Sequence, residues 1–119
     1  MREIVEFPDA VENQLDYLAP LLTVDVKAIV PNPRPPQFVV VERVGGGALS
    51  VAHDSPLITY KCIAPTVGEA GALISRVRAL VRAQPGFVND LGGPVFMPDP
   101  DDGLPRYQYT AQLLLRGTA

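Results

Sequence analysis

Two kinds of hydrophobic spacing alternate along this chain. The longest period-two run is Arg106 to Arg116: Tyr107, Tyr109, Ala111, Leu113 and Leu115 face one way, and Arg106, Gln108, Thr110, Gln112 and Arg116 the other. Only Leu114 breaks the alternation. One apolar face at period two predicts a half-buried strand, expected near the middle of a sheet. Thr66 to Gln84 shows the other spacing. Val67, Ala70, Leu73, Ile74, Val77, Leu80 and Val81 recur three or four residues apart, which is one stripe of a helix. Thr66 with Glu69 forms a capping box at its start, and Pro85-Gly86 stops it.

The remaining elements are weaker. Pro8 to Ala19 carries apolar residues at Ala10, Val11, Leu15, Leu18 and Ala19, with Asp9 and Glu12 favouring a helix start and Pro20 an end. Leu22 to Val30 alternates in part and reads as a strand. Pro31 to Pro36, PNPRPP, is a stiff extended loop, because proline lacks an N–H and restricts its predecessor. Gln37 to Val44 is a β-branched run that predicts a strand covered on both faces for part of its length. Gly45-Gly46-Gly47 is expected to break it, and Ala48 to Ser55 to form a loop or ragged edge. Pro56 to Ala64 returns as a strand, with Ile58, Tyr60, Cys62 and Ala64 on one face. Phe87 to Leu91 is a short strand continuing past Gly92-Gly93 into Val95 to Met97, the glycines marking a bulge or a close backbone approach. Pro94 to Pro105 is an acidic, turn-rich loop.

The order is α-β-β-β-α-β-β. It predicts an α+β fold: a mostly antiparallel sheet with two helices packed on one face. At 119 residues the chain is one domain, 1–119, with room for a single core. Its composition, 47 % hydrophobic and 19 % charged, is that of a globular chain. A net charge of −3 argues against general DNA binding, which needs a basic face. Cys62, the single cysteine, leaves no internal disulfide and no cysteine-based metal site. The N-terminus lacks the apolar run of a signal peptide, and no stretch reaches a membrane span.

The candidate chemistry is thin. Asp99, Asp101 and Asp102 in PDPDDG invite a cation reading. The calcium loop needs a closing glutamate at its twelfth position, where this chain has Thr110, so a solvated turn is the better reading. His53-Asp54 lies near Ser50 and Ser55, but sequence neighbours do not converge on a common centre, and no GxSxG elbow is present. Cys62 alternates onto the core face and reads as a buried, inert thiol. The three glycines lack the Lys-Ser or Lys-Thr of a phosphate loop and read as a flexible hairpin tip. Arg76, Arg78 and Arg82 form a basic strip with no acidic partner within helical reach, by default a solvated face. A contact with an acidic protein surface is the alternative. No cofactor or metal is expected.

Two proline-rich strings carry a resemblance. PNPRPPQFVVVERVGGG, and GGPVFMPDPDDGLPRYQYTAQLLLRG after the capped helix, resemble the tail terminator (tail completion) proteins of long-tailed siphophages and prophages of actinobacteria. The similarity covers nearly the whole chain. It implies a small α+β domain without enzymatic activity that forms a six-fold ring at the head-proximal end of the tail. It implies as partners further copies of itself, the major tail tube protein and the head-tail connector protein. DNA would pass through the lumen, and no membrane is involved. The implied location is the virion, after assembly in the host cytoplasm. A head-completion or neck connector, and a small ligand-binding α+β domain, are the alternatives. Rigid loops present contacts at little ordering cost. Arg34, Pro35, Pro36, Asp99, Asp101, Asp102 and Arg106 are therefore the expected subunit or tube contacts, with Arg34 and Arg106 pairing with the acidic loop of a neighbour. The glycine tip and Ala48 to Ser55 are expected to order on assembly.

Overall fold

A computed structural model describes residues 4–118, so the first three residues of the N-terminal lead lie outside it. The protein is α+β, with two helices on one face of a six-stranded, mostly antiparallel sheet. Helix α1 spans Ala10–Leu18 and is followed by a 3-10 turn, Ala19–Leu21. Strands β1 (Asp25–Lys27), β2 (Phe38–Ala48) and β3 (His53–Ile63) precede helix α2 (Val67–Ala83). Strands β4 (Phe87–Phe96), β5 (Arg106–Leu113) and β6 (Leu115–Arg116) end the chain. The spatial order is β1-β2-β3-β5-β4, with β6 also pairing β3. Only β1 runs parallel to its neighbour.

Each helix starts where a side chain accepts an orphan backbone donor. Asp9 Oδ1 takes the Glu12 N–H at 3.0 Å, and Thr66 Oγ1 takes the Glu69 N–H at 3.2 Å. Pro8 therefore precedes the cap of α1 and is not its first residue. Half of the expected capping box is present, because the Glu69 carboxylate accepts instead from Gln37 Nε2 at 2.8 Å.

The alternation of the last strand decides the layers. Tyr109, Ala111 and Leu113 of β5 join Ile58, Tyr60 and Cys62 of β3 and Val39 and Val41 of β2 in one core face. Leu73, Ile74, Val77 and Val81 of α2 and Leu18 of α1 cover it. Burying each such aliphatic side chain is worth about 1.5–3 kcal/mol. Leu114 leaves the ladder, its N–H going to Gly86 O at 2.8 Å, and the strand resumes as β6 against His53-Asp54. β5 lies between β3 and β4, inside the sheet as its pattern predicts. The opposite face holds a smaller cluster, Phe38, Val40 and Ile63 with Leu104 against it, and is otherwise polar.

The core contains one polar knot. Tyr60 donates to Gln14 Oε1 at 2.7 Å, and Gln84 Nε2 donates to the same oxygen at 3.0 Å. Gln14 Nε2 reaches Gln84 Oε1 at 2.9 Å. Gln14 and Tyr60 are fully buried. Burial raises the Tyr60 phenol well above its ordinary range, with Tyr109 adding to the effect, so it stays a donor. Tyr17 OH donates to Leu80 O at 2.6 Å and ties α1 to α2 a second time.

Two expectations fail. Of Leu22 to Val30 only Asp25–Lys27 pairs, because its partner β2 offers just Phe38, Val39 and Val40 in parallel register. The three glycines do not break β2. The strand runs through them to Ala48, with a register shift between Arg43 and Gly45 and with Gly46 at φ +84°. The tip lies beyond, at 49–52, and is closed by Ser50 Oγ, which accepts the Ala52 and His53 N–H groups at 3.2 Å. The other glycine pair behaves as predicted. Gly93 sits at φ +90°, and a Cβ there would come within 2.4 Å of Gln108 O.

Two stability predictions follow from these contacts. Tyr60→Phe removes one donor and leaves the two glutamines paired, costing about 1–2 kcal/mol in chemical denaturation, whereas Gln14→Leu strands the Tyr60 hydroxyl and the Gln84 amide and costs about 3 kcal/mol or more. Gly93→Ala costs about 2–4 kcal/mol from strain and the clash with Gln108. Gly68→Ala, where nothing lies within 4 Å, is neutral to stabilising by up to about 1 kcal/mol in the same assay.

Candidate functional site

The two proline-rich loops meet at one end of the sheet. Arg34, Pro35 and Pro36 lie on the connection from β1 to β2, and Asp99, Asp101 and Asp102 in the turn from β4 to β5. Arg34 forms an ion pair with Asp102 and lies 3.8 Å from Asp99. Its guanidinium also sits over the Phe38 ring, 5.6 Å from the centroid. The arginine expected to reach a neighbour's acidic loop thus pairs with the acidic loop of its own chain. The alternation that would signal such a contact does not exist, because the partners are 65 or more residues apart and joined only by the fold.

The acidic loop is a tight, internally bonded turn. Asp99 is buried and its Oδ1 accepts the Asp101 N–H at 2.9 Å. Asp102 Oδ1 accepts the Leu104 N–H at 2.9 Å, and Gly103 N donates to Asp99 O at 2.8 Å. Gly103, at φ +71°, allows the reversal. These carboxylates hold backbone donors, and among the described residues no group of three or more His, Cys, Asp or Glu converges on a metal position. Arg106 opens β5 and donates from Nε to Met97 O at 3.0 Å. Together with Asp99 and Asp101 it borders a shallow groove of about 310 Å³, whose other wall includes Ile29 and Val30. Pro36, Asp101 and Asp102 are exposed, and Pro35 is half-buried.

The other candidates resolve into structural roles. His53 Nδ1 lies 3.2 Å from Ser50 Oγ inside the hairpin turn. Its neighbour Asp54 is buried against Arg43, which reaches both carboxylate oxygens at 2.8 and 3.0 Å. No nucleophile, base and orienting group converge there. Cys62 is fully buried, and burial raises its thiol well above the usual range, so it is protonated and unreactive.

The basic strip of α2 has an acidic partner after all. Asp90 on β4 accepts from Arg78 Nη2 at 2.7 Å, from Arg82 Nη1 at 2.5 Å and from Tyr109 OH at 2.5 Å. The Arg78 bond, then the Tyr109 bond, holds the Asp90 carboxyl below the ordinary carboxylate range. Burial and the bond to Asp90 push Tyr109 above the ordinary phenol range. Helical spacing could not reveal this pairing, because Asp90 comes from the adjoining strand.

Two groups of exposed large apolar side chains lie along the sheet, beside others on loops and helix ends such as Ile29 and Val67. On β4, Val88, Leu91, Val95 and Phe96 are 42–49 % exposed, and Met97 follows at 44 %. At the far end of the β2–β3 hairpin, Val44, Leu49 and Val51 are 52–77 % exposed. The molecule is elongated, 55 × 27 × 26 Å. Among the described residues no helix is long and apolar enough to cross a membrane.

The sequence matches no protein-family model, and no curated protein matches it.

Asp90 makes stability depend on pH in a definite direction. Its native pKa is lowered, so its contribution is full above the unfolded value of about 3.9 and is lost as pH falls through the lower native value. Thermal unfolding should show a steeper fall of Tm below about pH 4 for the natural chain than for Asp90→Asn. The effect is modest because the carboxylate is 23 % exposed.

Proposed function

We propose that this protein is a structural virion component of the tail terminator type. It caps the phage tail tube as a ring, ends tail polymerisation and offers a surface to the head connector. The reading starts from the two proline-rich strings and their resemblance to that family. The observation that carries it furthest is the contrast between the chain's interior and its edges. Polar chemistry inside the chain is paired apart from Arg78 Nε, whereas apolar side chains stay uncovered along the edges at two separate places. Large uncovered apolar surface marks association sites. An assembly subunit needs such surfaces; an enzyme needs convergent polar groups in a concave pocket.

In this reading the loop bracket of Arg34, Pro35, Pro36, Asp99, Asp101, Asp102 and Arg106 acts as a rigid block. Arg34 is paired with Asp99 and Asp102 within the chain, while Asp101 and Arg106 have no ion pair among the described residues, so the block meets a neighbour or the tube by shape and by these two charges. Six copies form the ring, the major tail tube protein binds one side, and DNA passes through the lumen. A neck connector uses rings as well, and particle morphology separates the two.

Electron microscopy of particles assembled without this protein tests the proposal. Overlong tails detached from heads are the expected result. Tails of normal length that fail to join filled heads would instead assign the protein to the neck. Unchanged virions would remove it from the particle.

A further inference from the structure

We infer that copies of this chain join edge to edge, the outer edge of β2 in one copy pairing with the outer edge of β4 in the next. The inference rests on the ring reading and names the surfaces that would close the ring.

The first observation is that both edges are free. β1 covers β2 only from Phe38 to Val40, so from Val41 to Ala48 no strand of the described residues lies on its outer side. In that stretch the one side-chain hydrogen bond to the backbone runs from Arg43 Nε to Gly45 O at 3.0 Å. β4 is the last strand on the opposite side of the sheet and pairs only with β5. A row of unpaired N–H and C=O groups is a template for another strand.

The second observation is the missing charge. Natural edges are guarded by free charges, lysine above all, and by proline and bulges; bulges are present on both strands here, but free charges are not. Here every charged side chain on these segments is engaged within the chain. Glu42 pairs with Lys61, Arg43 with Asp54, and Asp90 with Arg78 and Arg82. The large apolar side chains exposed along the edges are Val44 on β2 and Val88 and Leu91 on β4, with the uncharged Asn89 exposed between the last two. The register of β4 on β5 also shifts between Phe87 and Asn89 and between Asp90 and Gly92, and Pro94 interrupts the far half, so the pairing would use the first half, Phe87 to Gly92, irregular as it is.

The third observation concerns the glycines of β2. Gly46 is required by the chain itself, since its φ is +84° and a Cβ would come within 2.1 Å of Ser55 O. Gly47 is not so required. Nothing lies within 4 Å of a Cβ placed there, and at Gly45 the nearest atom is a side-chain carbon of Leu57 at an ordinary 3.5 Å. Glycine weakens a strand, so two glycines without an internal reason point to an external one, the close approach of another backbone.

The occupant is a second copy because the complementary edge is present on the same molecule. β2 and β4 lie on opposite sides of one sheet, so pairing them is heterologous: each copy uses one edge forward and one backward. Heterologous contacts generate rings when the rotation closes.

The test uses the full chain and two variants. Gly47→Val fits within its own chain and favours the strand, so its Tm should hold or rise. Val88→Lys places a charge on the β4 edge at a half-exposed position, and its Tm should change little. By light scattering coupled to size exclusion, the natural chain should associate, and each variant alone should fall to monomer mass. An equal mixture of the two should recover a dimer and nothing larger, because each variant keeps one working edge. A variant that keeps the natural mass, a mixture that stays monomeric, or a natural chain that is monomeric throughout would overturn the pairing. Particles lacking the protein test the capping role separately. Normal tails built with monomeric Gly47→Val would overturn the pairing and leave that role intact. A natural ring whose loss leaves virions unchanged would do the reverse.

Discussion

The buried contact among Tyr60, Gln14 and Gln84 sets the terms for the rest of this molecule. Two helices lie side by side on one sheet face, and where they meet over the centre of β3 a phenol sits with no access to water. An unsatisfied hydroxyl there would cost about 1–3 kcal/mol, and each glutamine amide as much again. The three groups satisfy one another only in one arrangement. Gln14 must face inward from α1, and the end of α2 must place Gln84 within 3.0 Å of it. The apolar stripe around them would tolerate sliding of one helix along the other; the hydrogen bonds do not. Register between the helices follows from that knot.

A second constraint is the distribution of charge. Arginines and carboxylates on this chain meet across elements, not along them. Arg43 reaches Asp54 across the hairpin, Arg78 and Arg82 reach Asp90 from helix to strand, and Arg34 reaches the acidic turn from the opposite loop. Each pair is partly exposed and adds little stability by itself. Their joint effect is to hold segments in place and to leave no unpaired charge on the β2 stretch beyond Val40 or on the first half of β4, although the short edge strand β1 exposes Asp25 and Lys27. The two helices cover one sheet face, while apolar side chains stay exposed along β4 and on the β2–β3 hairpin.

The fold was legible where periodicity reports burial on one face. β5 and α2 each show a single apolar stripe, and both appear at nearly the expected bounds, with β5 inside the sheet. The Gly92-Gly93 reading also held, because a glycine pair in a strand has few causes. Legibility ended where tertiary partners decide. Leu22 to Val30 alternates, yet most of it has no strand to pair with. Gly45 to Gly47 resembles a tip in composition, yet β3 supplies a ladder that carries the strand through it. Gln14 lies on the buried face of α1, and no hydropathy pattern marks a polar residue as core. Asp90 and Arg34 found partners far away in sequence, which helical or local spacing cannot disclose.

The loop bracket and the edges divide what a subunit surface must do. Loops held by proline, by Asx-type turns and by internal ion pairs resist deformation, so on the proposed reading they would set distance and angle between neighbours. Arg34 is already paired there and two backbone donors are occupied, whereas Asp101 and Arg106 have no ion pair among the described residues. Adhesion needs uncovered apolar area and open hydrogen-bonding groups, and those lie along β2 and β4. On the proposed pairing, such a subunit would associate by its edges and be oriented by its loops. The separation has a consequence for assembly: changing the loop charges should alter geometry more than affinity, while changing the edges should abolish contact without disturbing the shape of the subunit.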